Sequence, residues 1–331
     1  MKIVVTGGAG FIGSHLTENL LKNEHHVTII DNSLANFRRN ITVEDPKYHK
    51  NLEFSERDIR YSPLNPIIKN ADIVIHLAAL ADIVPSIENP TNYFETNVGG
   101  TLRVLEACRR SRSLKKFIYA ASSSCYGNAA LTPISKTMPI NPEYPYALTK
   151  LMGEQLVHHW GKVYGIPWIS LRLFNVYGPR SRTNGTYGAV FGTFLAQKLA
   201  GKPFTVVGDG TQSRDFIYVS DVVNAIEAAM HTDYTGKIYN VGTGKPETIL
   251  KLTKLLGGEA IHIPERPGEP KITQANITKI KTELGWEPKV SFEDGVAIML
   301  KNIDYWRKAP VWTPETIAKA TKEWFNHLGD Q

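Results

Sequence analysis

Short apolar runs alternate with longer amphipathic stretches along the first half of this chain. The runs have the length and composition of buried strands, and the stretches between them repeat apolar residues at helical spacing. Strands that alternate with helices form a parallel sheet covered by helices on both faces. The predicted fold class is therefore α/β, with a doubly wound parallel sheet. The predicted strands are 2–6, 26–30, 52–55, 73–77, 116–121 and 168–173, and the predicted helices include 12–22, 93–110 and 146–164.

The pattern changes after about residue 175, where glycine and proline become frequent. Predicted strands are shorter there, and we expect fewer helices. We interpret residues 1–175 as the main domain and 176–331 as a smaller C-terminal α/β lobe, some segments of which return to the main domain. No Pro/Ser-rich linker separates the two, so we expect the lobe to fold against the sheet. Residues 314–328 have the spacing of one amphipathic helix, which carries Trp324 and Phe325.

A glycine-rich segment follows the first predicted strand and opens the first helix. Gly7 permits a tight turn, Gly10 lets the backbone approach a pyrophosphate, and Gly13 permits close packing of helix on strand. The N–H groups of the first helical turn attract phosphates. Asp31 stands at the end of the next strand, where a carboxylate accepts hydrogen bonds from ribose hydroxyls. These features predict a Rossmann-type site for a nicotinamide dinucleotide, and its other assigned residues are Phe11, Ile12 and Asn32.

The residue at the end of the second strand bears on which dinucleotide binds. The carboxylate of Asp31 would repel a 2′-phosphate, which favours NAD over NADP. Arg38 and Arg39 follow closely and keep the NADP alternative open, because an arginine can accept that phosphate. The alternative is a glycine turn that binds no ligand, and the strand and helix around the loop disfavour it.

Two further segments predict acid–base chemistry. Tyr146 and Lys150 are four residues apart at the start of a predicted helix, so both side chains lie on one face. An ammonium group near a phenol lowers the tyrosine pKa, and such a tyrosine can take a proton from a sugar hydroxyl. Upstream, Ser122 stands at the carboxyl end of a predicted strand, where ligands bind in open α/β sheets. Taken alone, Ser122 could equally belong to a polar turn.

Together these motifs resemble the extended short-chain dehydrogenase/reductase family, and within it the nucleotide-sugar 4-epimerase branch. The resemblance covers nearly the whole chain. Segment 182–190 is similar to epimerases that act on UDP-hexoses and their N-acetyl forms. The other segments that carry the resemblance are 6–13, 31, 57–59, 76–79, 97, 122–127, 146–150, 172–180, 213–219 and 265–269.

The resemblance implies roles for residues on the cofactor side. Lys150 would also bond the nicotinamide ribose, and Ser122, four residues before Tyr126, matches the family's catalytic Ser/Thr, with Ser123 and Ser124 beside it. The implied cofactor contacts are Asp58 and Ile59 at the adenine, Leu77, Ala78 and Ala79 along the cofactor channel, and Asn97 beside the cofactor.

The resemblance also implies a substrate side in the C-terminal lobe. Asn175 matches the position that contacts the substrate diphosphate, and Arg214 and Arg266 would supply two cations to it. Guanidinium groups match phosphate oxygens well, although each arginine alone could equally form a surface ion pair. Glu269 stands where the family usually has Asp, for a ribose hydroxyl of the nucleotide.

The residues after Ser122 bear on the reaction. A 4,6-dehydratase needs an acid and a base there, and this chain has Ser123 and Ser124, whose hydroxyls do not titrate near neutrality. We therefore expect an NAD-dependent epimerase that inverts C4 of a nucleotide-diphosphate hexose, of UDP-glucose/galactose or UDP-GlcNAc/GalNAc type, through a transient 4-keto sugar. We read Cys125 as a small packed residue. The alternatives are a 4,6-dehydratase or an epimerase of a GDP-, CDP- or dTDP-sugar, and a non-catalytic NAD-binding regulator.

Composition adds limits on partners and compartment. The net charge of +6 comes from scattered residues, which suits anionic small molecules better than nucleic acid. Two cysteines in 331 residues predict a reducing, cytoplasmic setting, with no metal site and no disulfide framework. No apolar run approaches the length of a membrane helix, and we expect no signal peptide. The resemblance implies a homodimer through helices 93–110 and 146–164, although burial within one chain explains their apolar faces equally well.

Overall fold

A computed structural model describes residues 1–42, 50–128, 132–181 and 188–329. Among these residues the main sheet has seven parallel strands, in the order β11-β6-β5-β4-β1-β2-β3. The strands are β1 Lys2–Thr6, β2 His26–Asp31, β3 Leu52–Glu56, β4 Ile73–His76, β5 Lys116–Ser122, β6 Trp168–Leu173, β7 Asn175–Tyr177, β8 Phe204–Val207, β9 Ser213–Arg214, β10 Phe216–Tyr218, β11 Lys237–Val241, β12 Glu247–Thr248 and β13 Ala260–Ile263.

Helices cover both faces of this sheet. Apolar residues of α1 and α9 pack on one face, and those of α6 and α7 pack on the other. The helices are α1 Phe11–Lys22, α2 Leu34–Asn40, α3 Asn65–Ile68, α4 Ile83–Glu88, α5 Pro90–Tyr93, α6 Thr101–Arg109, α7 Pro145–Tyr164, α8 Val190–Leu199, α9 Val219–His231, α10 Ile249–Leu256, α11 Thr278–Leu284, α12 Phe292–Lys301, α13 Pro314–Ala320 and α14 Lys322–Leu328.

The predicted doubly wound α/β sheet is confirmed. The chain leaves β1 for β2 and β3 in one direction, then returns to β4, β5 and β6 on the other side of β1. The register pairs Thr6 of β1 with Ile30 of β2 and with His76 of β4. The switch of direction between β1 and β4 leaves a crevice at the carboxyl ends of these strands, where ligands bind in such folds.

Three expectations about helices are wrong. The single helix expected at 93–110 is divided into α5, a π-helical segment Phe94–Gly100 and α6. In that segment Gly100 packs so closely on Ile59 that a Cβ would lie 2.5 Å from Ile59 Cδ1. The single helix expected at 314–328 is divided into α13 and α14 at the buried Thr321, whose hydroxyl donates to the carbonyl of Ile317. Helices are also not scarce beyond residue 175, because α8 to α14 lie there.

The residues after β6 build a second core around small paired strands. β7 pairs with β10, β8 with β13 and β9 with β12, and only the last pair is antiparallel. Stacked and edge-on rings of Tyr177, Phe191, Phe216 and Phe292 form the centre of this core. β11 joins the main sheet beside β6. The domain boundary at residue 175 stays a prediction.

A buried ion pair fastens α7 to the sheet. Arg172 of β6 and Glu154 of α7 are nearly inaccessible to solvent, and Arg172 Nη2 lies 2.5 Å from Glu154 Oε1. Ser170 donates to the same carboxylate at 2.7 Å, and Arg172 Nη1 donates to the Tyr126 hydroxyl at 2.8 Å. The charges of both partners are therefore fully compensated by hydrogen bonds inside the core.

Neutralising one member of this pair should destabilise the protein strongly. We expect Glu154→Gln to lower the free energy of unfolding by about 3–5 kcal/mol, because Arg172 would keep its charge without a counter-charge. Glu287→Gln makes the same chemical change at the solvent-exposed Lys281–Glu287 pair and should leave the unfolding midpoint unchanged. Urea denaturation of both variants measures the difference. Equal midpoints for the two would contradict the role of the buried pair.

Candidate active site

A cleft of about 780 Å³ opens at the carboxyl ends of the strands, between the main sheet and the second core. Residues from nearly every part of the chain meet there. The expected site residues that line it are Gly7, Gly10, Phe11, Ile12, Gly13, Asp31, Asn32, Asp58, Ile59, Leu77, Ala78, Ala79, Ser122, Ser123, Ser124, Tyr146, Lys150, Asn175, Arg214, Arg266 and Glu269.

The glycine loop between β1 and α1 forms one end of this cleft. Gly7 has a φ of +70°, and a Cβ there would lie 2.7 Å from the backbone nitrogen of Ala78. At Gly13 a Cβ would run into the carbonyl oxygen of Gly7 and lie 2.7 Å from Gly8 Cα. In the part of the chain that the structure describes, no side chain caps the first turn of α1. The loop and the first-turn N–H groups thus fit a pyrophosphate.

Two carboxylates lie beyond the loop. Asp31 accepts hydrogen bonds from the backbone N–H groups of Ala9 and Ser33, each at 3.1 Å, and burial raises its pKa. Asp58 accepts from Asn32 at 3.2 Å and from Arg60 at 2.8 Å, and the bonds to Arg60 lower its pKa to about 2. Asp58 is therefore ionised throughout the neutral range, and Arg60 is a cleft residue that the sequence did not single out.

A series of buried polar side chains, joined by hydrogen bonds, supports the cleft walls from behind. Sequence reasoning missed this role. His76 of β4 lies 2.6 Å from the Thr6 hydroxyl through Nδ1 and 2.9 Å from the Thr101 hydroxyl through Nε2. Thr6 in turn accepts a hydrogen bond from the backbone N–H of Ala78. Burial lowers the pKa of His76 to about 3, so the ring is neutral. A histidine inside an apolar strand was the signal that could have revealed this support.

Asn97 was expected beside the cofactor, and the structure places it one layer behind the cleft. Its side chain is buried and bonds both backbone groups of Leu80, at 2.8 and 2.9 Å. It also donates to the Thr149 hydroxyl of α7 at 3.0 Å. Asn97 lies in the π-helical segment, and it joins the loop after β4 to α7. It therefore positions cleft walls and does not itself line the cleft.

Ser122, Tyr146 and Lys150 meet in the middle of the cleft. Ser122 ends β5, while Tyr146 and Lys150 lie one helical turn apart on α7. The Ser122 hydroxyl accepts a hydrogen bond from the Ser124 hydroxyl at 2.8 Å. The ammonium of Lys150 lies 4.4 Å from the centre of the Tyr119 ring. A reacting hydroxyl group in this cleft would thus meet a phenol, an alcohol and an amine.

The expectation that Lys150 lowers the pKa of Tyr146 is wrong for this arrangement. Burial raises the pKa of Tyr146, and only the hydrogen bond to Ser122 opposes that rise substantially. Burial also lowers the pKa of Lys150 to about 7, with Glu154 acting in the opposite direction. Tyr146 is half-buried and Lys150 is buried, so reduced contact with water disfavours the phenolate and the ammonium alike.

Cys125 is packed as expected. It is buried behind the cleft with Tyr126, and burial raises the pKa of its thiol to about 12. A thiol with such a pKa is not a nucleophile or a base near neutrality.

At the far end of the cleft, two arginine side chains lie beside one carboxylate. Glu269 Oε1 lies 3.1 Å from Arg214 Nη2 and 3.8 Å from Arg266 Nη1, so the two expected arginines converge on one carboxylate. Thr273 donates to the side-chain oxygen of Asn175 at 3.3 Å. Residues 182–187 of the expected UDP-hexose motif lie outside the described residues, while Gly188, Ala189 and Val190 line the cleft.

Aromatic residues that the sequence did not assign to the site also line this end. Tyr144 stacks parallel to Tyr146, with 6.4 Å between ring centres, and Trp324 of α14 lies next to Tyr144. No local motif identifies Trp324 as a cleft residue, because the fold brings it in from the end of the chain.

The amine of Lys150 should titrate far below an ordinary lysine, whose pKa is about 10.4. We expect a midpoint of about 7 in protein stripped of bound nucleotide, because burial disfavours the ammonium. Protein with ¹³C-labelled lysine shows this by NMR through the Cε shift, and the resonance is assigned by its loss in Lys150→Arg. A Lys150 signal that titrates together with the exposed lysines would rule out this environment.

Residues 3–242 match the model of the NAD dependent epimerase/dehydratase family. A putative UDP-glucose 4-epimerase of Methanocaldococcus jannaschii is 36% identical over 315 residues, which cover 92% of this chain and 98% of that protein.

Solved structures agree with this result. A UDP-N-acetylglucosamine 4-epimerase of Methanobrevibacter ruminantium, in complex with UDP-N-acetylmuramic acid, has a TM-score of 0.86 and 34% identity, over 92% of this chain and 98% of that one. A UDP-glucuronic acid 4-epimerase of Bacillus cereus, in complex with UDP-glucuronic acid and NAD, has a TM-score of 0.82 and 36% identity, over 93% and 99% of the chains. This chain, with its glycine loop and Asp31 fitted to NAD as cofactor, belongs to the NAD dependent epimerase/dehydratase family.

Proposed function

We propose that this protein is an NAD-dependent 4-epimerase of a UDP-linked hexose, of the glucose/galactose or the N-acetylhexosamine type. The observation that carries the proposal is the composition of the cleft beside Tyr146. Ser122, Tyr146 and Lys150 meet there, and the two residues after Ser122 are Ser123 and Ser124. Inversion of C4 through a 4-keto sugar needs proton transfer at one hydroxyl and no acid–base pair for the loss of water.

Each of the three central residues has a distinct proposed role. Tyr146 first gives its own proton to the neutral amine of Lys150, then takes the proton of the C4 hydroxyl and later returns it to the keto oxygen. Ser122 lines the cleft together with Tyr146, and it orients the same hydroxyl group. Lys150 binds the nicotinamide ribose and, with a pKa near 7, passes a proton between Tyr146 and its surroundings. NAD, when bound, supplies the hydride acceptor at C4 and a positively charged nicotinamide ring.

The substrate would extend from Tyr146 toward the arginines. Asn175, Arg214 and Arg266 would hold the diphosphate, since guanidinium groups bind phosphate oxygens in pairs. Glu269 bridges both arginines. In the substrate complex its carboxylate would also accept a hydrogen bond from a ribose hydroxyl. The relatives named above act on UDP-sugars, which supports UDP as the nucleotide.

Epimerisation returns the cofactor to its starting state in every turnover. NAD would therefore remain bound as a prosthetic group, held by the glycine loop, Asp31 and Asp58. Among the described residues, no helix is long and apolar enough to cross a membrane. We propose a cytoplasmic homodimer that pairs through α6 and α7, where Leu148, Val163 and Tyr164 are exposed apolar side chains.

Product analysis tests the reaction type. Purified protein is incubated with UDP-galactose, UDP-GlcNAc and their C4 epimers, and the products are resolved by NMR and mass spectrometry. We expect an isomer of unchanged mass from one of these pairs, because the serines after Ser122 cannot promote elimination. A 4-keto-6-deoxy sugar, lighter by one water, would support the 4,6-dehydratase alternative and refute this proposal.

Removing one hydroxyl tests the role of Tyr146. We expect Tyr146→Phe to lower kcat by about 10²–10⁴-fold, because proton transfer at C4 loses its donor and acceptor. Bound NAD, measured after denaturation, should stay at the parent level. Tyr234→Phe makes the same change at a solvent-exposed tyrosine that does not line the cleft, and it should keep full activity. Near-normal turnover by Tyr146→Phe would exclude Tyr146 from the chemistry.

A further inference from the structure

The C-terminal segment 312–328 connects the two sides of the cleft. Ile317 of α13 packs on Ile263 of β13, and Gln197 donates to the carbonyl of Trp312 at 2.8 Å. α14 contacts α4, which belongs to the first half of the chain. The segment is therefore fastened on both sides, and it forms a fixed part of the cleft wall.

Trp324 is the residue of α14 that lines the cleft, and it is 3% exposed. Its Nε1–H donates to the carbonyl of Pro267 at 2.8 Å. The guanidinium carbon of Arg266 lies 5.7 Å from the indole centre, and the Tyr144 ring centre lies 6.3 Å from it. The indole thus stands between the proposed diphosphate site and the aromatic residues that lead to Tyr146.

Tyr144 continues this surface toward the reacting centre. Its ring is nearly parallel to that of Tyr146, with an interplanar angle of 7°. A hexosyl unit whose C4 hydroxyl reaches Tyr146 and whose diphosphate reaches Arg266 must lie along Tyr144 and Trp324. The two rings form an aromatic wall over that distance.

We propose that Trp324 is a substrate-binding residue, and that it forms with Tyr144 the wall of the hexosyl subsite. The inference rests on the proposed function, because it takes the ligand to be a nucleotide sugar. Trp324 lies well beyond residue 242, where the family match ends, so the wall is completed by a segment outside that match.

The chemistry of the wall suits a sugar that must turn over during the reaction. The C–H faces of a pyranose are apolar and pack on aromatic rings. The single donor of the indole is already used by Pro267, so the small part of the ring that reaches the cleft offers the sugar an apolar contact without a directional hydrogen bond. Such a surface binds both C4 epimers and the keto sugar in either orientation. UDP alone has no hexosyl unit, so the aromatic wall does not strengthen its binding.

Isothermal titration calorimetry on the NAD-loaded protein separates these ligands. All variants carry Tyr146→Phe, so that the sugar is not converted during the measurement. The ligands are UDP, UDP-GlcNAc and UDP-glucose, and the added changes are Trp324→Ala, Trp324→Phe and Phe325→Ala. Phe325 is the matched control, because it is the next residue of the same helix and is exposed to solvent.

We expect Trp324→Ala to weaken binding of the UDP-sugar about tenfold and of UDP less than about twofold. Trp324→Phe should recover part of the loss, and Phe325→Ala should change neither affinity. With Tyr146 intact, Trp324→Ala should raise KM while kcat changes little, since the wall does not touch the proton at C4. Retained UDP binding shows that each variant is folded.

Two outcomes would overturn the inference alone. Equal losses for UDP and the UDP-sugar would mean that Trp324 only supports the loop of Arg266, and unchanged affinity for both would mean that no wall exists. If the parent protein binds UDP but neither UDP-sugar, the proposed function fails and this inference fails with it.

Discussion

The buried ion pair between Glu154 and Arg172 holds α7 against the sheet, and the geometry of the cleft depends on that contact. α7 also carries Tyr146 and Lys150, which lie two turns and one turn before Glu154 along the same helix. Three further contacts fix its position. The Tyr119 hydroxyl donates to the carbonyl of Lys150, Asn97 donates to Thr149, and Gly153 leaves room for the Tyr119 ring, which a Cβ would overlap. A helix that was free to slide would not keep Tyr146 beside Ser122.

The support of α7 is continuous with that of the cofactor loop. Asn97 bonds Leu80 in the segment after β4, and that segment is bonded at Ala78 to Thr6 of β1. Gly7 follows at once, and its tight approach to Ala78 leaves no space for a side chain. One network of buried polar groups therefore sets the distance between the glycine loop and Tyr146. Its members are neutral or paired, so they can be enclosed without a large desolvation cost.

Much of this arrangement could be predicted from local sequence. The strands of the main sheet, the glycine loop and the Tyr146–Lys150 spacing are short-range patterns, and the fold puts them where expected. Properties that depend on tertiary packing were harder to predict from the sequence. The π-helical turn around Asn97, the division of the last helix at Thr321 and the raised pKa of Tyr146 all follow from neighbours distant in sequence. Trp324 reaches the cleft from 178 residues beyond Tyr146, and nothing near it in sequence indicates this.

In the proposed reaction, C4 is oxidised and reduced again within one cleft, and the hydrogen of C4 would be kept as hydride on a bound cofactor. A UDP-hexose labelled with deuterium at C4 tests this directly, in ordinary water and without added nucleotide. The account predicts that the epimerised product keeps the deuterium at C4 throughout the approach to equilibrium. Replacement of that deuterium by hydrogen from water at the rate of epimerisation would contradict the account, because it would mean that C4 is inverted by proton exchange.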